Sequence, residues 1–465
     1  MKSELDFFTP HPIQSSILKT EEIVYKPVAS LDNTSLIEFV SLGHGDTYRD
    51  LSSIYLKLRI KMFKNQKNEV IGDDSPSTVN NIMHSLFKQC FYMNGKPIAQ
   101  TDHNYHYRAY IENLLNYGSD AATTHLESVG WYIDDGKMDY DGTGSTSTPP
   151  NPGDGKKRRK RDETNPLAST SNTNTSSGTS NATGENSGQK KRQAVFAKSC
   201  EVELMGKIHG DMFNQSKLLL NNIDLRVILA TENPSFYIMS KNDKDEAYIK
   251  ILDATMYMNH VTINPNVLLA HEKVLLKTKA VYPYKRVEVK TFTIPSGSRT
   301  LSVDNVIIGQ LPNLLVFGMV SNAAYSGNLL KNPYNFKHNK MSQFNLCING
   351  TYLPNSPITC DYSGDNPVST RGYNTLFKGT GIHFFDKGHQ ITKKFYDNGC
   401  FLLAFDLTTD ISYNSESCTN LLNQGTIRIE GQFSENLAEA TTCIVYAEYD
   451  AAIEIDKDRN IFTSF

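Results

Sequence analysis

The sequence lacks the patterns that mark a membrane protein, a secreted protein or an enzyme of a common class. Among its 465 residues, no apolar run approaches the ~20 residues of a membrane-spanning helix, and the N-terminal residues have no signal-peptide core. There is no Gly-x-Ser-x-Gly elbow, no phosphate-binding Gly-x-x-x-x-Gly-Lys-Ser/Thr loop and no His-x-His pair of the cupin type. We therefore expect a protein made in the cytosol, with no catalytic activity and no cofactor.

Cysteine pairing and a strong net charge are also lacking. The seven cysteines are an odd number without Cys-x-x-Cys spacing, which favours thiols in a reducing compartment. The formal net charge is −3, so the whole-protein field indicates no nucleic-acid partner, and any such partner must be bound locally.

The middle of the chain predicts how the rest is organised. Residues 247–264 alternate like a strand, Asn264 and Pro265 suit the start of a short helix with Leu268, Leu275 and Leu276 on one face, and 284–297 form a second strand. A chain of this length accommodates two domains of about 200 residues each. The sequence therefore predicts a first β-domain at 1–264, a linker helix and connection at 265–283, and a second β-domain at 284–465.

Short strands with turn residues between them are predicted on both sides of this hinge. The clearest has Ile54, Leu56, Leu58, Ile60 and Met62 on one face, with cationic side chains between them. Strands are also expected at 86–93, 217–229 and 236–239. The single long helix expected, 104–118, has an amphipathic pattern.

A polar segment interrupts the first domain. From about 134 to 195 the composition predicts a disordered surface insertion. It carries two cationic runs, which are candidates for a nuclear-localisation signal: Lys156, Lys157, Arg158, Arg159, Lys160, Arg161, and Lys190, Lys191, Arg192. Binding to an import receptor is the preferred interpretation, with nucleic-acid contact or a merely solvated loop as alternatives. Residues 158–161 also have the form of a basic-protease site.

The sequence contains one candidate metal site. Asp102, His103 and His106 could share a helical turn, but no third ligand group of recognisable spacing follows, so a capped helix start is favoured and no metal is expected.

The two halves contain a weak internal echo. Asn94-Gly95 and Asn349-Gly350 each follow a strand, and each is followed by a Tyr, Leu, Gly segment: Tyr110, Leu114, Gly118 and Tyr373, Leu376, Gly379. Asn-Gly predicts a tight hairpin turn. The echo is consistent with duplication of one domain.

Several separated motifs resemble the major capsid protein of Polinton/Maverick elements and of adintoviruses. They are 107–120, 206–215, 252–257, 268–271, 286–295, 305–312, 331–336 and 405–408. The resemblance covers nearly the whole chain outside the insertion and the extreme N-terminus. It implies an all-β fold of two tandem jelly-roll sandwiches, a double jelly roll, with a few short helices, and it transfers no catalytic residue.

The resemblance also implies a function. Three copies would form a pseudo-hexagonal homotrimer, and trimers would tile an icosahedral virion shell around double-stranded DNA without sequence-specific contact. A minor or penton capsid protein and a nuclear import receptor are expected partners, with cytoplasmic synthesis followed by nuclear assembly; a membrane partner is left open. The alternative is a tandem β-sandwich binding module, lectin-like or a receptor-binding spike.

Overall fold

The computed structural model describes residues 13–31, 36–43, 45–65, 67–72, 76–97, 104–140, 185–364, 366–382, 386, 388–413 and 420–464. The strands are β1 (Ile17–Tyr25), β2 (Leu36–Ser41), β3 (Thr47–Phe63), β4 (Ser77–Thr78), β5 (Phe87–Met93), β6 (Lys96–Pro97), β7 (Glu201–Lys207), β8 (Leu225–Thr231), β9 (Ile238–Met239), β10 (Tyr248–Ile263), β11 (Ala280–Ile294), β12 (Thr300–Gln310), β13 (Leu314–Ser321), β14 (Met341–Ile348), β15 (Thr351–Thr359), β16 (Leu402–Asp406), β17 (Gln424–Phe433), β18 (Thr441–Ile455) and β19 (Ile461–Ser464).

Short helices lie between these strands. The α-helices are α1 (Ile82–Ser85), α2 (Tyr105–Asn116), α3 (Ser119–Ala122), α4 (Ser187–Phe196), α5 (Pro234–Tyr237), α6 (Pro265–Leu275), α7 (Asn322–Tyr325), α8 (Thr370–Gly379) and α9 (Lys393–Gly399). Among the described residues, 3₁₀ turns span His125–Val129, Ala197–Ser199 and Asp211–Asn214. Within the residues described, no helix has the length and apolar character needed to cross a membrane.

The strands before α6 form one sandwich of two sheets. One sheet has the order β1-β10-β3-β7 and the other β2-β8-β5-β6. When the two-residue β4-β9 ladder is set aside, the eight remaining strands, counted in chain order, form sheets ordered 1-8-3-6 and 2-7-4-5. That is the strand order of a jelly roll, in which successive strands alternate between the two sheets except for the fourth and fifth, which are neighbours in one sheet.

The strands after α6 repeat this order. One sheet has β11-β18-β13-β16, with β19 added beside β18, and the other has β12-β17-β14-β15. Each sheet contains strands from one side of α6 alone. The chain is therefore a double jelly roll with a few short helices, as the sequence predicted.

The alternating pattern of β3 is confirmed. Ile54, Leu56, Leu58, Ile60 and Met62 are all buried, whereas the side chain of Arg59 is exposed. A period of two places alternate side chains on opposite faces of a sheet. The apolar face of β3 therefore contributes to the core between the two sheets of the first jelly roll.

Helix α6 begins at the residues that the sequence predicts. Asn264 caps α6 by accepting a hydrogen bond from the Asn266 backbone N–H at 3.0 Å, and Pro265 opens the helix. Leu275 is buried and Leu268 half-buried, but Leu276 lies just past the last helical turn and is exposed. The second jelly roll begins earlier than expected, because β11 starts at Ala280 within the predicted connection.

Two predicted strands are wrong in part. Strand β8 covers Leu225–Thr231, and the residues from 217 to 224 form turns and a short bridge instead. The expected strand at 236–239 begins as helix α5, because Asn233 caps that helix and Pro234 opens it. In both cases capping and turn chemistry outweigh the apolar pattern.

Helices α6 and α4 lie at opposite ends of the long strand β3, as the strand pairing shows. The pairing of β10 with β3 sets Thr262 beside Thr47, and the pairing of β3 with β7 sets Lys61 beside Glu201. Helix α6, which follows β10, and helix α4, which precedes β7, therefore lie at opposite ends of β3. We call these the α6 end and the insertion end.

Candidate functional site

The structure describes only part of the predicted cationic insertion. Residues 156–161 lie outside the described residues. Lys190 and Lys191 are exposed on α4, and Lys190 forms an ion pair with Glu185 at the surface. Arg192 is different, because its side chain is buried.

The buried Arg192 corrects its assignment to a localisation signal. Its guanidinium donates to the carbonyl of Thr78 at 2.8 Å and to that of Tyr132 at 2.7 Å, and it pairs with the Asp134 carboxylate at 2.5 Å. An arginine held by three buried acceptors cannot bind an import receptor without local unfolding. Arg192 is a structural residue at the base of the insertion.

The same contacts correct the boundaries of the insertion. Asn186 caps α4 by accepting from the Gln189 backbone N–H and donates to Asp134 at 3.0 Å. Ser187 donates from its hydroxyl to Asp135 at 2.7 Å. Residues 134–140 and 185–195, which the composition assigned to disorder, are therefore ordered, because polar side chains from the two flanks pair with each other.

A charged cluster lies on the buried seam between the two jelly rolls. Arg108 on α2 pairs with Glu112 at 2.8 Å and with Asp211 at 2.5 Å, and His209 contacts Glu112 at 2.5 Å. Hydrogen bonds reach the second roll, from the Tyr446 hydroxyl to Glu112 at 3.4 Å and from the backbone N–H of residue 287 to Asp211 at 3.3 Å. We call Arg108, Glu112, His209 and Asp211 the seam cluster.

Burial and ion pairing shift the pKa values of these carboxyl groups in opposite directions. Burial alone would raise the pKa of Glu112, but Arg108 and His209 outweigh it and lower that pKa to about 2. For Asp211 burial prevails, so its pKa is raised despite Arg108. Removing the Arg108 guanidinium would leave the carboxylates of Glu112 and Asp211 without their cation in a site that excludes water.

The second roll adds its own buried charges to the seam. Lys285 pairs with Asp450 at 2.9 Å, and Tyr413 donates to Glu448 at 2.9 Å. Burial raises the pKa of Glu448, with Lys285 partly offsetting it. Arg286 on β11 is buried and pairs with Glu288. The polar face of β11 therefore lies against the first roll and not in solvent.

Helix α2 is the main element of this seam. Every residue from Tyr105 to Leu115 is buried, although the sequence predicted an amphipathic helix. The ring of Tyr110 stacks on Tyr334 of the second roll with centroids 4.0 Å apart, and the hydroxyl of Tyr107 donates to the carbonyl of Pro333 at 3.1 Å. A helix packed between two sandwiches has no solvent face, which single-helix periodicity cannot reveal.

The metal hypothesis receives no support from the part of the chain that is described. Asp102 and His103 lie outside it. His106 is buried, with its ring 4.2 Å from that of Phe236 and 4.7 Å from that of Tyr107. At the start of helix α2, the side-chain amide of Asn104 donates to the carbonyl of residue 289 in the second roll at 3.3 Å. No group of three or more metal-ligating side chains is found among the described residues.

Sequence reasoning missed the seam cluster, although one signal was available. Arg108 and Glu112 are four residues apart on a predicted helix, which is ion-pair spacing. That pattern occurs more often on exposed helix faces, so it does not predict burial. Asp211 has no local signal, because its partner is distant in the chain.

No protein-family model matches the chain. Uncharacterized protein F54H12.2 of Caenorhabditis elegans is 22% identical over 435 residues, which cover 91% of this chain and 92% of that protein.

Solved structures are similar over nearly the full length. A chain of the Sputnik virophage has a TM-score of 0.59 at 12% identity, covering 100% of this chain and 92% of that one. The PBCV-1 virus capsid gives 0.55 at 8% identity, with 99% of each chain covered. The Faustovirus major capsid protein gives 0.53 at 9% identity, with 96% and 92% covered. At such identities the likeness establishes the fold, and this chain shares the double jelly roll with these viral proteins.

Proposed function

We propose that this chain is a major capsid protein with a structural and not a catalytic role. The observation that carries the proposal is the pair of jelly rolls with identical strand order, joined across a buried seam by hydrogen bonds and stacked aromatic rings. Such a seam makes one rigid block of two sandwiches. Three blocks arranged around a threefold axis place six sandwiches in a ring, which is the pseudo-hexagonal unit that tiles a shell.

An exposed edge strand is the candidate contact between copies. Strand β1 is at the edge of its sheet, and Leu18 and Val24 project from it into solvent. Val28 and Leu36 nearby are exposed as well. An uncovered apolar edge strand promotes unwanted pairing in a monomer, whereas a neighbouring subunit would bury it. We assign the β1 edge to the homotrimer interface.

The first test is the assembly state of the purified chain. Light scattering after size-exclusion chromatography, with negative-stain images of the peak, should show trimers with a hexagonal outline. Leu18→Lys with Val24→Lys should convert trimers to folded monomers, while Ile308→Lys, an equally exposed apolar position on β12, should leave them intact. A wild-type monomer that binds glycans or a host protein would instead favour the tandem binding module.

We further propose that the shell encloses double-stranded DNA without sequence-specific contact, and that a separate minor or penton protein fills its vertices. The motif resemblance supports an origin in a Polinton/Maverick element or an adintovirus. Nuclease-resistant DNA that copurifies with assembled particles would support the proposal that the shell encloses DNA. Empty shells from infected or element-bearing cells would contradict it.

We propose that Lys156, Lys157, Arg158, Arg159, Lys160 and Arg161, with Lys190 and Lys191, recruit a nuclear import receptor after synthesis in the cytoplasm. Deleting residues 154–184 keeps α4 and the Arg192–Asp134 pair, so the protein should fold and trimerise but remain cytoplasmic. Deleting 154–192 also removes Arg192 and should reduce stability. Nuclear accumulation of the shorter deletion would disprove an import role for residues 156–161.

A further inference from the structure

A buried histidine joins helix α1 to helix α2 beside the seam cluster. His84 on α1 is 2% exposed, and its Nδ1 lies 2.9 Å from the hydroxyl oxygen of Tyr105, the first residue of α2. That oxygen also accepts a hydrogen bond from the His209 backbone N–H at 3.2 Å. The pattern makes Nδ1 of His84 the acceptor of the tyrosine hydrogen, and hence unprotonated. We call His84, Tyr105 and His209 the histidine latch.

The surroundings of His84 disfavour a positive charge on its ring. The ring of His209 stands edge-on to it, with centroids 4.7 Å apart. Glu112 is the nearby carboxylate, but it already contacts His209 at 2.5 Å and Arg108 at 2.8 Å. Of the other described elements against α1, α5 has no charged side chain, and the charged side chains of β7 and of the turn at 125–129 are exposed.

Burial and charge act together on the titration of this histidine. Burial lowers the pKa of His84 well below its ordinary value, His209 lowers it further, and Glu112 acts in the opposite direction. In an open or unfolded chain the pKa would be about 6.5. Because the folded pKa is the lower one, the stability that neutral His84 contributes is complete above about pH 6.5 and is lost as the pH falls below it.

The histidine latch is connected to the second jelly roll on both sides. On α1, the hydroxyl of Ser85 shares a hydrogen bond with the hydroxyl of Tyr334 at 2.6 Å. Just before α2, the side-chain amide of Asn104 donates to the carbonyl of residue 289 at 3.3 Å. Separation of α1 from α2 would therefore disturb contacts that join the two rolls.

We propose that the histidine latch is an acid-sensitive switch, in which protonation of His84 separates α1 from α2 and loosens the seam between the rolls. During a local opening, Nδ1 takes a proton from water. The imidazolium can no longer accept the tyrosine hydrogen, so the site stays open until the proton leaves. This inference does not depend on the capsid proposal, because it concerns contacts within one chain.

Hydrogen exchange of the full chain at pH 7.5 and at pH 5.5 tests the switch. After correction for the intrinsic pH dependence of amide exchange, residues 105–116 should exchange about tenfold faster at pH 5.5, because each opening takes up one proton with a pKa of about 6.5. His84→Asn places an amide oxygen near the position of Nδ1 and cannot be protonated, so its corrected exchange should change less than about twofold.

The control for this variant is His125→Asn, which changes an exposed histidine and should follow the wild type. A tenfold rise that persists in His84→Asn would overturn the proposal, because the proton would then be bound elsewhere.

The wild-type profile keeps the test decisive if His84→Asn does not fold. Its corrected exchange in residues 105–116 should rise about twofold from pH 7.5 to 6.5 and about fivefold from pH 6.5 to 5.5. Residues 332–336 of the second roll should follow, since Tyr334 is bonded to α1. A flat profile, or a rise that leaves residues 332–336 unchanged, would overturn the proposal.

Discussion

The two jelly rolls have the same strand order but use their equivalent helices differently. Helix α2 of the first roll is buried from Tyr105 to Leu115, whereas in α8 of the second roll Gly372, Leu376 and Gly379 are the buried residues. Both helices follow the Asn-Gly hairpin of their roll. A duplicated element can therefore be the central element of the seam in one copy and a surface helix in the other, since only one of the two helices fits between the rolls.

The largest expected effect concerns the charges of α2. Arg108→Ala leaves Glu112 and Asp211 buried without their cation, and the free energy of unfolding in urea should fall by about 3–5 kcal/mol. The control is Arg371→Ala on α8, whose side chain is exposed and donates to the carbonyl of Pro357 at 2.7 Å. That variant should lose about 1 kcal/mol or less. Equal losses would mean that the seam cluster adds nothing beyond a surface contact.

Tyr110 and Tyr373, the two tyrosines of the internal echo, provide a second comparison between α2 and α8. Tyr110→Ala removes a buried ring stacked on Tyr334 and should cost about 3–5 kcal/mol of unfolding free energy, as for other large aromatic truncations. Tyr373 on α8 is half-buried and donates to the carbonyl of Ile391 at 2.9 Å. Tyr373→Ala should cost about 1–2 kcal/mol. A larger loss at Tyr373 than at Tyr110 would reverse the roles assigned to the two helices.

The seam cluster also predicts a dependence of stability on pH. The pKa of Glu112 is about 2 in the folded protein, against about 4.3 in an unfolded chain. Because the folded pKa is the lower one, this contribution is complete above about pH 5 and is lost as the pH falls toward 2.

The measurement compares the wild-type chain with Glu112→Gln by urea unfolding at pH 5 and at pH 3. The wild type should lose about 2 kcal/mol more than the variant over this interval. Asp211 and Glu448, whose pKa values burial raises, are present in both proteins. Glu127→Gln changes an exposed carboxylate and should follow the wild type. Parallel curves for wild type and Glu112→Gln would contradict the assignment.

The smallest expected effect concerns the Asn-Gly hairpin, a feature that the two rolls share. Gly95 and Gly350 have φ values of +76° and +84°, and a Cβ at either position would meet no atom within 4 Å. Replacing either glycine by alanine therefore adds backbone strain without a clash, and each should cost about 1 kcal/mol. The test is thermal unfolding of the two variants side by side. A loss at one position alone would show that the hairpins are not equivalent.

Much of the fold could be predicted because it depends on local pattern. The alternation of β3 from Ile54 to Met62, the cap at Asn264 and the Asn-Gly hairpins all follow from residues near one another in sequence. The extent of disorder could not be predicted in this way. Residues 185–192 have a polar composition, but Asp134 and Thr78 supply their partners from distant parts of the chain.

By itself, the sequence determined the strand spacing, the division of the sheets at α6 and the repeated hairpin, because each depends on side-chain periodicity or on backbone preferences over a few residues. The tertiary structure alone decided which polar residues are buried. Arg108, Asp211 and Arg192 look like surface charges in sequence, yet packing brings each of them a partner of opposite charge from a distant part of the chain. Burial is a property of two surfaces in contact, and a single segment of sequence describes only one of them.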